Sequence, residues 1–228
     1  MTQCIRSLSL ALLLALPLAV SAGPPEKLDT ARTVLRDFME IPENAIPPTL
    51  LRDAYGIAVI PSVVKVSFIV GGRHGTGVMA VRRDNGKWSN PSFVSLTGGS
   101  VGWQIGASST DIILVFKSRR SIDRIARGDI TLGGDASVAA GPVGRSASAA
   151  TNVRFDAEVY SYSRARGLFA GVSVEGAALS IDDGANAEFY SEAGISAYEI
   201  LGRSDTDIPT AGERFMETLE RYLPRPAE

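Results

Sequence analysis

Apolar positions repeat at helical spacing in several segments of the chain, including one near each end. Residues 26–40 (EKLDTARTVLRDFME) place their apolar side chains on one face, which predicts an amphipathic N-terminal helix. Residues 121–127 (SIDRIAR) predict a short mid-chain helix, and residues 211–223 predict a C-terminal helix with a buried apolar face. A brief helical turn is also predicted over residues 50–54, after a pair of prolines.

Short β-rich runs fill most of the chain between these helices. From residue 56 they are GIAVIP, VSFIVGG, GVMAVRR and KWSNPSFVSL. Asp84, Asn85 and Gly86 lie between the last two runs and supply the positive φ of a tight hairpin turn. TDIILVFKS is a nearly continuous apolar run, which predicts a strand buried on both faces. Further strands are predicted in RFDAEVYSYSR, GLFAGVSVEGAALSI and NAEFY.

The order of these elements predicts an α+β fold. Alternating βαβ units are missing, so we expect a mainly antiparallel, barrel-like sheet that carries the N-terminal, mid-chain and C-terminal helices. A stretch of small residues, 132–151, suits tight strand packing better than a linker because it holds no run of charges. Residues 23–228 are therefore predicted to form a single domain.

Residues 1–22 have the pattern of a secretory signal peptide. Arg6 precedes an apolar run over residues 8–20, and small residues then lead to a cleavage point before Gly23. The alternative is an uncleaved anchor, but the run is shorter than the roughly 20 apolar residues that span a bilayer. We therefore expect an exported protein, periplasmic or secreted, that has lost Cys4 with its leader.

Composition excludes several classes of site and partner. The 228 residues include one histidine and one cysteine, so neither a Cys/His zinc site nor a disulfide can be built within the chain. A formal net charge of −2 argues against a nucleic-acid binder. Charge is uneven, however, because residues 52–127 hold 11 basic and 4 acidic side chains whereas residues 128–228 hold 8 and 16. Either the first stretch meets an anionic partner or the two stretches complement each other.

Two glycine-rich motifs resemble functional loops without meeting their requirements. Residues 98–102 (GGSVG) match the G-x-S-x-G string of serine hydrolases, but that motif needs a following helix and a later histidine, and His74 comes earlier. Residues 71–77 (GGRHGTG) lack the Lys and Ser/Thr of a P-loop. We interpret both as tight glycine turns and expect no catalytic residue, metal or cofactor. For the second motif the alternative is that Arg73 and backbone N–H groups meet an anionic headgroup.

Several glycine-studded blocks together resemble one family. They are AYGIAVIPSVVKVSFIVGGRHGTGVMAVR, WSNPSFVSLTGGSVGWQIGASSTDIILVF, LGGDASVAAGPVGR and YSYSRARGLFAGVSVEGAAL, in that order. On these blocks the chain is identified as a member of the SYLF domain family over residues 28–198, in a bacterial-type exported form. The family includes actin-patch proteins of yeast.

The resemblance implies a lipid-binding module, since family members bind phosphoinositides or other acidic lipids. It also implies that an amphipathic, basic N-terminal segment contributes to membrane contact. The matching segment here, residues 26–40, carries four acidic side chains beside three basic ones. Some yeast relatives bind actin, but a bacterial envelope contains none, so we do not expect actin as a partner.

Basic residues of the strand region are the candidate lipid contacts, and the alternative is that they are ordinary solvated charges at strand ends. One tryptophan joins them as the better candidate for an anchor at the membrane interface, the alternative being a core side chain. The set comprises Lys65, Arg73, Arg82, Arg83, Lys87, Trp88, Lys117, Arg119 and Arg120. We expect these residues to meet acidic phospholipid or phosphoinositide-type headgroups in a salt-dependent manner. The alternative is an envelope scaffold that uses the same surface to bind protein.

Overall fold

The computed structural model describes residues 22–40, 46–143, 156–165, 168–203 and 208–223, with the backbone alone at 67–70 and 100–106. Except for Ala22, the predicted signal peptide lies outside the described residues. Residues 144–151, at the end of the stretch of small residues, lie outside them as well.

Two long strands form the centre of the fold. β1 (Gly56–Val81) and β2 (Ser92–Phe116) pair antiparallel along almost their whole lengths, with register shifts after Ile60 and after Ser67. The sequence predicted several short strands here, and this expectation was wrong. The glycines that we took for turns instead lie inside the strands: residues 71–77 belong to β1 and pair with residues 94–100 of β2.

Five shorter strands complete a mainly antiparallel sheet. They are β3 (Asp129–Thr131), β4 (Val138–Ala140), β5 (Val159–Ala165), β6 (Leu168–Gly171) and β7 (Ala177–Ile181). β2 pairs with β5 along residues 111–116 and with β7 along residues 94–98. Among the pairs of named strands in the described residues, only β4–β5 is parallel. The predicted α+β class with a mainly antiparallel sheet is therefore confirmed.

Helices pack around this sheet. They are α1 (Pro24–Met39), α2 (Pro48–Arg52), α3 (Arg119–Ala126), α4 (Asp183–Tyr190), α5 (Ala197–Gly202) and α6 (Thr210–Tyr222). The predicted helices at the N-terminus, at mid-chain and at the C-terminus are all present. α1 and α6 bury Phe38 and Phe215 in one core cluster, and the Arg214 guanidinium donates to both carboxylate oxygens of Asp29 at 3.0 and 2.9 Å.

The spacing of apolar residues did not predict two helices near the C-terminus. The run NAEFY was predicted as a strand but lies in α4, where the Asp182 carboxylate caps the helix by accepting from the Ala185 N–H at 3.0 Å. α5 begins with a capping box, in which Ser196 and Glu199 each accept a hydrogen bond from the other's backbone N–H. The S-x-x-E spacing is a signal that could have predicted α5.

β1 folds back on itself, so that its two halves lie side by side. The Arg82 N–H donates to the Tyr55 carbonyl at 2.8 Å, which brings the two ends of β1 together. Farther along, a Cβ placed on Gly77 would lie only 2.2 Å from the Val59 carbonyl oxygen. Glycine is required at this position because the two backbones approach too closely for any side chain. Glycine at this position permits the close approach that the curled, barrel-like sheet requires.

The apolar core is divided by the sheet into two clusters. One lies under α1 and α6 and includes Leu35, Phe38 and Phe215, all at most 1% exposed. The other contains Leu114 and Ile125, which join the β2 strand to α3. β2 supplies buried side chains to both clusters over residues 112–116, as expected for a strand buried on both faces.

The predicted hairpin between β1 and β2 is also confirmed. Gly86 has a φ of 75°, a conformation that favours glycine, and the Arg83 N–H donates to the Lys87 carbonyl at 2.9 Å. Arg82 and Trp88 pair across the turn as an isolated bridge.

We predict that Gly77→Ala lowers the free energy of unfolding by about 2–3 kcal/mol, because the new methyl group meets backbone atoms that cannot move aside. Chemical denaturation followed by circular dichroism measures this change. Gly99→Ala in β2 is the matched control, since a Cβ there meets no atom within 4 Å. The control is expected to match the wild type or to gain up to about 1 kcal/mol. Equal stability of the two variants would contradict the close contact between the halves of β1.

Candidate functional site

Four of the predicted cationic residues gather where the two long strands begin and end. Backbone hydrogen bonds of 2.8 Å from Tyr55 to Phe116 and from Arg82 to Tyr55 hold these strand ends together. We call this region the groove end, defined by the side chains that it presents: Tyr55, Arg82, Arg83, Lys117 and Arg119.

Two adjoining cavities of about 430 and 530 Å³ open at the groove end. Both are lined by Tyr55, Arg82, Arg83, Asp84 and Arg119. The smaller cavity extends between α3 and α5, and the larger extends toward α2 and Lys117. The structure therefore brings the hairpin cations and the cations that follow β2 to one concave surface.

Two aspartates neutralise part of this charge. Lys117 Nζ and Arg52 Nε each lie 3.3 Å from a carboxylate oxygen of Asp53, and Arg119 Nη1 lies 2.5 Å from Oδ1 of Asp84. The hydrogen bond from Arg119 holds the pKa of Asp84 below its ordinary value. Partial burial opposes a low pKa at Asp53, but Arg52 and Lys117 outweigh it, so this pKa is also lowered. Both carboxylates are therefore ionised at neutral pH.

Trp88 is fully buried, which corrects the expectation that it anchors at a membrane interface. Its Nε1–H donates to the Leu223 carbonyl at 3.3 Å, and the Arg82 guanidinium lies 4.5 Å from the centroid of its ring. Arg82 Nη2 also donates to the Leu223 carbonyl, at 3.1 Å. Burial against the end of α6 removes this large ring from water, so Trp88 and Arg82 hold the helix in place.

Lys87 and Arg120 are exposed near the groove end. Lys87 follows the hairpin turn, and Arg120 is the neighbour of Arg119 in the first turn of α3. Neither side chain has a hydrogen-bonding or ionic partner among the described residues. They extend the positive surface beyond the cavities.

Lys65 and Arg73 lie far from the groove end. Among the described strands, β1 and β2 pair only with each other over residues 64–72 and 99–109, and we call these residues the ribbon tip. Lys65 belongs to the tip, whereas Arg73 adjoins it, because its partner Gly98 also pairs with Ala177 of β7. Lys65 is exposed within the tip, and Arg73, at its base, donates to the Ser173 carbonyl at 3.1 Å. At about 3.3 Å per residue, the strand carries the tip roughly 25 Å from the groove end. The predicted site is thus divided between two ends of the sheet.

Large apolar side chains are exposed at and beside the ribbon tip. Val64 and Val66 are 47% and 54% exposed, and Leu168 is 78% exposed. Leu168 lies near the tip because it pairs with Ala165, at the end of β5 that runs beside Asp111 of β2. The sequence did not predict these exposed residues, because their exposure depends on how far β1 and β2 extend beyond the strands that pair with them.

The apolar face of α1 is not available for membrane contact. Leu28, Ala31, Leu35 and Phe38 are at most 1% exposed and pack against the sheet and α6. The amphipathic pattern of this segment is therefore that of a core helix in this structure. Within the part of the chain that the structure describes, no helix has both the length and the apolar character to cross a membrane.

The G-x-S-x-G motif lies inside β2 and lacks the setting of a catalytic serine. Residues 98–102 pair with residues 69–73 of β1, so no strand-to-helix turn presents Ser100. His74 lies on the neighbouring strand, where its Nδ1 is 3.0 Å from the Thr97 hydroxyl oxygen.

Comparison with known proteins supports the family suggested by the sequence. The model of the Ysc84 family, described as "Las17-binding protein actin regulator", matches residues 97–222. The chain is 37% identical over 198 residues to the human SH3 domain-containing YSC84-like protein 1, covering 84% of this chain and 57% of that protein. It is 38% identical over 198 residues to Protein YSC84 of Saccharomyces cerevisiae, covering 83% and 42%.

A further relative is LAS seventeen-binding protein 3 of the same yeast, 39% identical over 164 residues, with 71% of this chain and 36% of that protein covered. The chain thus spans less than two thirds of the length of each of these relatives. Our expectation that actin is not a partner is contradicted, because the family is described as an actin regulator. On the match to its family model and to these relatives, the chain belongs to the Ysc84 family, whose domain is the SYLF domain.

Proposed function

We propose that the chain is a non-catalytic module that binds an anionic membrane surface through its ribbon tip. The observation that carries the proposal is the coincidence of exposed aliphatic side chains with an uncharged stretch of sequence. Residues 66–72 and 99–109 contain no charged residue, although both lie in the ribbon tip, which no other described strand pairs with. Apolar surface exposed in this way indicates contact with a partner or a membrane.

The cations beside the tip favour a lipid surface with negative charge. Lys65 lies between Val64 and Val66 and is exposed with them, so an inserted tip would carry its ammonium group to the headgroup layer. Arg73 lies at the base of the tip, on the neighbouring half of β1. A cation near an anionic membrane contributes about 1 kcal/mol. Burying exposed valines contributes a comparable, salt-independent amount.

This arrangement differs from insertion of the N-terminal helix, since the apolar face of α1 is already part of the core. Removing α1 from the core to reach a bilayer would expose the apolar side chains beneath it. The tip needs no such rearrangement. Export, predicted from residues 1–22, is kept as part of the proposal and would place the bound membrane in the cell envelope.

We predict that the triple variant Val64→Ser, Lys65→Gln, Val66→Ser loses at least about tenfold in affinity for vesicles of phosphatidylcholine and phosphatidylserine. Co-sedimentation at several salt concentrations measures the loss. Wild-type binding should weaken with salt but persist in part, because only the contribution of the cations is screened.

The matched control is the double variant Arg119→Gln, Arg120→Gln at the groove end, which removes more positive charge than the tip variant does. It is expected to keep nearly all of the vesicle binding, since these residues lie at the other end of the sheet. If the control lost binding while the folded tip variant retained it, the proposed site would be wrong.

A second candidate function is contact with actin or with a protein that regulates it, and the description of the family favours it. This candidate predicts saturable co-sedimentation of the folded chain with actin filaments, without vesicles. If the chain stayed in the supernatant at filament concentrations of tens of micromolar, direct actin binding would be rejected. The envelope-scaffold alternative predicts neither vesicle nor filament binding.

A further inference from the structure

The smaller cavity of the groove end has the form of a peptide-binding groove. Its floor is apolar, since the side chains of Val81, Ile122 and Leu201 are each at most 8% exposed. Tyr55 and Tyr198 line it as well, and they are 44% and 70% exposed. Two exposed tyrosines over an apolar floor suit an extended segment that buries a side chain and stacks against the rings.

The charge around this groove selects for an acidic ligand. The smaller cavity is lined by three basic side chains and two acidic ones, and the exposed Arg120 adds another cation nearby. Guanidinium groups bind carboxylates through paired hydrogen bonds, so Arg119 is suited to this role.

Asp84 occupies the place that a ligand carboxylate would take. Its side chain is 81% exposed and bonded to Arg119 Nη1 at 2.5 Å. An ion pair this exposed contributes little to stability, so an external carboxylate can replace it at small cost. Asp84 therefore acts as an internal competitor for Arg119.

We propose that this groove binds an acidic peptide segment of a partner protein, with an apolar residue of that segment over Ile122. A membrane surface fits less well, because the site is concave and its exposed apolar groups are two tyrosines within the groove. The direction that the groove faces rests on the proposed function: with the ribbon tip in a membrane, the groove end lies away from the bilayer and toward protein partners.

The test uses a short fluorescein-labelled peptide in which Asp and Glu residues surround a central Leu, with an Asn/Gln version as the matched probe. Fluorescence anisotropy with the full chain should show saturable binding of the acidic peptide and at least about tenfold weaker binding of the neutral one. Arg119→Gln should weaken acidic-peptide binding by about tenfold. Arg127→Gln, at the other end of α3, is the control and should leave it unchanged.

The Asp84→Asn variant should change the affinity for the acidic peptide in the opposite direction from Arg119→Gln. Removing the competitor should tighten acidic-peptide binding by about threefold, an effect that a merely structural role of Asp84 would not produce. Equal binding of both peptides, or an Arg119→Gln variant that binds as well as wild type, would overturn the inference. The inference would also be overturned if the chain bound no peptide and Arg119→Gln lost vesicle binding, since the groove would then bind lipid headgroups. A further outcome separates the two proposals. If peptide binding depends on Arg119 but the ribbon-tip variant still binds vesicles, the proposed function is refuted and the inference about the groove stands.

Discussion

The sheet can curl as it does because the two halves of β1 touch through their backbones. The Val59 carbonyl lies where a side chain of residue 77 would be, so the halves can meet only because that residue is glycine. Because β2 is paired with β1 along its length, it must follow the same fold. The long ribbon thus becomes the wall of a curled sheet, with cores on both sides and its middle left as a free tip.

Folding the ribbon in this way gives the molecule two chemically different ends. The strand ends meet at the groove end, where the hairpin and α3 bring Arg82 and Arg119 together around Tyr55. At the opposite end, Lys65 is the one charged residue of the ribbon tip, Arg73 lies at its base, and Val64 and Val66 are exposed. We therefore propose that one end inserts apolar side chains into a membrane while the other binds acidic protein segments.

Local patterns in the sequence predicted those features of the fold that depend on residues close together in the chain. The period of α1, the positive φ of Gly86 and the buried run at 112–116 all follow from local chemistry, and each is found. The length of β1 and β2 could not be predicted, since glycines inside a strand resemble turns unless the opposing backbone is known. Burial of Trp88 was missed for the same reason, because its partner Leu223 is 135 residues away. The candidate site was found only in part: its cations were identified, but their division between two ends is a property of the fold.

Fluorescence of a single environment-sensitive label at either end shows which end of the molecule enters the membrane. Cys4 is the only cysteine of the chain, so Val66→Cys or Arg120→Cys in a Cys4→Ser background carries a nitrobenzoxadiazole label at one site. On phosphatidylserine-containing vesicles, we predict that the label at position 66 shifts to the blue and is quenched by lipids spin-labelled in their acyl chains. The label at position 120 should keep the emission wavelength that it has without vesicles. If the label at position 66 stays in water while the protein is bound, and the label at position 120 is quenched instead, the ribbon tip is not the membrane-binding end.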